Sequence, residues 1–156
     1  MLNFMKYEFY SKRREKPIPT KYWAGGFLYN PEANAIFLHK RDANTPYNPN
    51  KWAFFGGLNE GDETPSQCYM RELKEEIGLN LDEKNVFLLC EYFNTELSTY
   101  RIVFYSISNV QACELTLTEG FGFGWIQIDS LEKYDLTEKT KKDLDLFKVI
   151  TYTQTQ

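Results

Sequence analysis

Arg71, Glu72, Glu75 and Glu76 crowd into six residues, directly after a glycine-rich run that reads Gly56-Gly57-Leu58-Asn59-Glu60-Gly61-Asp62-Glu63. Carboxylates three and four residues apart on a helix repel one another, so this spacing calls for positive charge between them. A divalent cation holding a diphosphate meets that need. Mg²⁺ takes oxygen ligands and is often shared with substrate phosphates, and Mn²⁺ is the alternative ion. Two other phosphate-binding patterns are excluded. No Gly-Lys-Ser/Thr follows the glycines, and the helix opens on Thr64-Pro65 and then accumulates acid, unlike a dinucleotide fingerprint. With acid on the protein and phosphate on the substrate, the metal belongs between them, which points to metal-assisted displacement at phosphorus.

The elements that must position these groups are partly written in the same stretch. Thr64 is a good N-cap, Pro65 suits the first helical position, Gln67 completes a capping-box pattern, and Gly78 suits a left-handed end. A helix over 65–77 follows. On it Glu72, Glu75 and Glu76 occupy roughly one quarter to one third of the circumference, while Met70, Leu73 and Ile77 fall on a separate arc expected to face the core. Upstream, strands over 22–29 and 35–41 flank a turn at 30–34 and form a hairpin. Residues 42–51 are a long polar loop rich in Pro and Asn, suited to lining a site. Residues 52–55 form a short apolar strand into the glycines. Downstream, strands over 86–93 and 99–108 make a second hairpin, 111–119 is a loop, 121–128 a strand, and Thr137 caps a last helix to about residue 149, with Leu144, Phe147, Val149 and Ile150 as its apolar contacts.

At 156 residues the chain reads as a single domain, 1–156, with 1–19 as an N-terminal extension carrying aromatics and the basic run Lys12-Arg13-Arg14. A net charge of -4 argues against nonspecific nucleic-acid binding. Cys68, Cys90 and Cys113 match no zinc spacing and read as reduced thiols. No apolar run is long enough to span a bilayer, and the N-terminus lacks the apolar core of a signal peptide, so no membrane partner and a cytoplasmic location are expected. His39 is the single histidine, which disfavours a His-based nucleophilic or zinc mechanism.

The set Gly57, Glu63, Arg71-Glu72-Leu73, Glu75-Glu76 and Gly78-Leu79 resembles the Nudix box at its defining positions. Leu38-His39-Lys40-Arg41 and Trp52 also look like this family. The resemblance implies an α/β fold, an α/β/α sandwich with a mixed curved sheet between helices, the box forming loop–helix–loop. It implies Mg²⁺-dependent hydrolysis of a small nucleoside diphosphate derivative, a (d)NTP or nucleotide sugar. It makes Glu72, Glu75, Glu76 and the Gly57 carbonyl the metal ligands, and Arg71 the holder of a glutamate, with Glu63 its partner. The general base is Glu119 or a box glutamate, Glu75 or Glu76. Arg41, Lys40 and Trp52 are candidate substrate contacts; an exposed strand end for the two cations and a core position for Trp52 are the competing roles. A small nucleotide is the expected partner, with a homodimer left open. Phe55 stands where many relatives have Pro, which bears on loop geometry rather than on metal binding. A Nudix-fold binding module without catalysis and a prenyl diphosphate isomerase are the rival functions; the latter usually needs a catalytic cysteine and a longer chain.

Overall fold

The computed structural model describes residues 17–118 and 120–154. In chain order its elements are β1 (Tyr22–Asn30), β2 (Ala35–Lys40), β3 (Trp52–Ala53), β4 (Phe55–Leu58), α1 (Pro65–Ile77), β5 (Val86–Asn94), β6 (Thr99–Ile107), β7 (Gly122–Gln127) and α2 (Glu138–Gln154), with short 3-10 turns at Glu83–Asn85, Ala112–Glu114 and Ile128–Lys133. Both expected hairpins form. In the first, the Asn30 side chain accepts from the Glu32 and Ala33 amides, and Asn34 takes a positive φ of 48°, a conformation asparagine tolerates better than most residues.

The strands build one mixed sheet in the order β3-β2-β1-β6-β5, with β4 also paired to β1 and β7 to β2. β1 is central: it runs parallel to β6 and antiparallel to β2 and β4. Alternation along it sorts side chains between two cores. On one face Ala24 and Leu28 meet Tyr69, Leu73 and Ile77 of α1. On the other, Phe27 meets Leu144 and Phe147 of α2. The result is the α/β/α sandwich implied by the box.

Three local expectations need correction. The inward arc of α1 is Tyr69-Leu73-Ile77 rather than Met70-Leu73-Ile77; Tyr69 is fully buried with its hydroxyl donating to the Phe27 carbonyl at 3.0 Å, while Met70 is half-buried. The strand expected over 52–55 is two strands, because the chain changes partner at Phe54: Trp52 and Ala53 pair with β2, and Phe55 onward pairs with β1. The last helix runs to Gln154, beyond the expected end near 149.

Candidate active site

Local capping sets α1 as its sequence demands. The Thr64 side chain accepts from the Gln67 amide, the Gln67 side chain accepts from the Thr64 amide, and Gly78 takes φ 70° with its amide returning to the helix. The glycine loop is tied separately to β1. Asn59, buried, accepts from the Tyr22 amide at 3.0 Å and donates to the Thr20 carbonyl at 2.9 Å, and the Tyr22 hydroxyl donates to the Glu63 carbonyl. Loop and helix are thus anchored independently, so the groups they carry meet in a defined way.

Their meeting point is Arg71. Nε and Nη2 form a two-pronged contact with the Glu63 carboxylate at 3.0 and 2.9 Å, and Nη1 donates to Glu72 and to Glu75, each at 3.0 Å. Nη2 also reaches the Leu58 carbonyl at 3.1 Å. The arginine hydrogen bond holds Glu63 below its ordinary pKa, and Glu63 in turn raises that of the guanidinium. Much of the positive charge that the acidic cluster calls for is therefore supplied by the chain itself. Cys68 sits in the same cluster, donating to the Gly57 carbonyl at 3.6 Å; burial, then the Glu63 charge, push its thiol up to about 12, so it stays protonated.

Glu76 meets the glycine loop. It is buried, and its Oε1 accepts from the Gly56 amide at 3.4 Å. Gly57 packs so tightly on the helix that a Cβ there would run into the Glu72 carboxylate. The loop backbone therefore lies against Glu72 and Glu76 together, while Glu75 is turned onto Arg71. Among the described residues no three His, Cys, Asp or Glu side chains gather as a complete cage. A Mg²⁺ ion needs no such cage, because it is commonly held by one or two carboxylates together with waters and substrate phosphates. Two carboxylates and the Gly57 carbonyl, all hard oxygen donors, fit that requirement.

The C-terminal end of α1 is closed by residues 116–118: the Thr116 and Thr118 amides reach the Ile77 and Glu76 carbonyls at 3.2 and 2.9 Å, and the Thr118 hydroxyl reaches the Glu75 carbonyl at 2.6 Å. Glu119, the outside candidate for general base, lies outside the described residues. Of the substrate-contact candidates, Arg41 lines a cavity of about 390 Å³ together with Tyr47 and Asn48 of the long polar loop. Its Nε donates to the Tyr47 carbonyl at 3.1 Å and its Nη2 to the Thr45 hydroxyl at 2.9 Å. Lys40 lies over the Phe121 ring at 5.4 Å, and Trp52 packs edge-on against Tyr134 on the α2 side of the sheet. Neither lines that cavity. Trp23, Arg101 and Lys139 do; sequence reasoning placed Trp23 in the core, against which it packs, and passed over the two cations. The one available signal was Arg101, a charge inside the apolar run of β6.

A model of the NUDIX domain matches residues 20–146. The chain belongs to the NUDIX family. It is 41% identical over 69 residues to the 8-oxo-dGTP diphosphatase of Escherichia coli, an overlap that covers 44% of this chain and 52% of that enzyme. The chain thus spans about half the length of that relative. It is 30% identical over 108 residues to the nucleoside triphosphatase NudI of Escherichia fergusonii, covering 63% of this chain and 77% of that protein. Among solved structures, MutT of Aliivibrio salmonicida and Vibrio cholerae superposes with a TM-score of 0.66 at 25% identity, over 85% of this chain and 98% of that one. Nudix hydrolases generally use divalent metal ions. No helix among the described residues is long and apolar enough to cross a membrane.

Proposed function

We propose that this Nudix chain hydrolyses a diphosphate linkage in a small nucleoside diphosphate derivative, with Mg²⁺ as its ion. The observation that carries this reading is the Arg71 hub, which locks Glu63, Glu72 and Glu75 while the glycine backbone is pressed against Glu72 and Glu76. Relatives named as an 8-oxo-dGTP diphosphatase and a nucleoside triphosphatase support the same substrate class. Glu72, Glu76 and the Gly57 carbonyl would hold the ion, with Glu75 at its margin. When bound, the ion neutralises the diphosphate so that it can lie against an acidic helix. The guanidinium fork on Glu63 fixes the position of Arg71, whose Nη1 then holds the Glu72 carboxylate through one hydrogen bond. Water attacks one phosphorus and the bridging P–O bond breaks. The water proton passes to a carboxylate, either Glu119 or a box glutamate, Glu75 or Glu76.

The test is incubation with Mg²⁺ and a panel of NTPs, dNTPs, nucleotide sugars and dinucleotides, with product identification. Cleavage of the diphosphate in at least one compound is expected. Tight binding of one compound without turnover of any would replace this reading with that of a binding module.

A further inference from the structure

The cavity beside Arg41 lies on the face of the sheet opposite α1. Trp23 and Phe54 in its wall belong to the core under α2, and Lys139 comes from the first turn of that helix. None of the box glutamates lines it. Its link to the box is Leu58, which lines the cavity and whose carbonyl accepts from Arg71. Leu58 thus connects the cavity wall to the arginine that holds Glu72.

The lining is unusual in charge. Arg41, Arg101 and Lys139 all contribute, and among the described residues no acidic side chain does. Arg101 is only 7% exposed, and its guanidinium lies 4.0 Å from the centre of the Trp23 ring. Its Nε donates to Asp143 at 3.1 Å, and the Tyr92 hydroxyl holds the same carboxylate at 3.0 and 3.2 Å. Asp143 is thus committed behind the wall. The Arg41 fork is braced by neutral oxygens of Thr45 and Tyr47. Lys139 is held below its ordinary pKa by burial and by the charges of Arg101 and Arg41; Glu96, on the exposed turn between β5 and β6, and Asp143 offset this only in part. Beside the cations the lining combines Trp23, Tyr47, Phe54, Leu58 and Leu97 with neutral polar groups of Asn and Thr, and it is open, with Tyr47, Leu58 and Leu97 exposed by 62%, 54% and 43%.

Resting on the diphosphatase reading, we infer that this cavity receives the end of the substrate remote from the scissile diphosphate and selects one that carries a second anionic group, a carboxylate or a phosphate, beside a flat or apolar body. A prenyl tail would bury cations against hydrocarbon, which is unfavourable without a counter-charge. A neutral sugar would leave the surplus charge unmatched. A carboxylate or phosphate pairs with both the arginine fork and the lysine.

Matched pairs that differ by one anionic group test this: UDP-glucose and UDP-glucuronate for a carboxylate, NADH and NADPH, and dephospho-coenzyme A and coenzyme A, for a phosphate. For each, kcat/KM with Mg²⁺ and equilibrium binding are measured. The anionic member of at least one pair should be favoured about tenfold or more, chiefly through KM. Lys139→Met and Arg41→Gln should each shrink that ratio, with melting temperatures reporting that both variants fold. Equal or weaker binding and turnover of the anionic member in every pair overturns the inference. Tighter binding of the anionic member without hydrolysis of any pair sustains it and overturns the diphosphatase reading instead.

Discussion

Arg71 satisfies three carboxylates with one guanidinium, a task for which a lysine has the charge but not the geometry. Arg71→Lys should lower stability by about 1–3 kcal/mol, read by chemical denaturation, and should lower turnover as Glu72 loses its brace. Glu76→Gln should behave differently. Turnover should fall by about a hundredfold or more, while the denaturation midpoint stays level or rises, because a buried carboxylate becomes neutral. Full turnover in Glu76→Gln would remove this residue from the ligand set. Glu63 and His39 both bear on acid stability. Glu63 has a lowered pKa, so its contribution is complete above its unfolded value of 4.5 and is lost as pH falls below that. His39 is buried, stacks on Phe55 and shares a 2.9 Å hydrogen bond with the Phe54 carbonyl; burial lowers its pKa from 6.5 to about 4. The unfolded chain therefore binds the extra proton first, and stability should decline by about 3 kcal/mol as pH falls from 6.5 to 4. Denaturation of His39→Gln across that range should show a flatter slope.

At the level of elements, α1 and the loop before it divide stability from function between two glycines. Gly78 occupies the left-handed region with no atom within 4 Å of where a Cβ would sit, so Gly78→Ala meets only backbone strain, about 1 kcal/mol. Turnover should survive it. Gly57→Ala instead forces the Glu72 carboxylate aside and should abolish most hydrolysis at little loss of melting temperature. Kinetics and thermal melts of the two variants, measured together, separate the roles. The segment 116–118 adds a further constraint, since its hydrogen bonds end α1 on the carbonyls of Glu75, Glu76 and Ile77.

Across the whole molecule, the parallel pairing of β1 with β6 brings Trp23 opposite Arg101, and α2 delivers Asp143 and Lys139 to the same region. The Arg101–Asp143 pair is almost fully enclosed, and burial raises the Asp143 pKa despite its partners. Removing one member leaves the other charge stranded. Asp143→Ala should therefore lower stability by about 3–5 kcal/mol, measured by urea denaturation, a larger loss than any change on the exposed side of α1. A loss below about 1 kcal/mol would mean that the pair is open to water in solution.

What the chain's order of residues determined by itself is local. Thr64, Pro65, Gln67 and Gly78 bound α1 correctly because capping acts over three or four residues, whereas the pairing of Glu63 with Arg71 was legible only through the resemblance to the Nudix box. The strands and turns of both hairpins were legible for the same local reason as the caps. Only the tertiary structure decided that Tyr69 rather than Met70 faces the core, that the chain switches partners at Phe54, and that the acidic cluster closes on Arg71 while Glu76 turns to the glycine backbone. The cavity was least legible of all. Its cations come from positions 41, 101 and 139, and Arg101 meets a carboxylate 42 residues away. Sheet register and helix docking bring such groups together, and neither leaves a mark in the spacing of neighbouring residues.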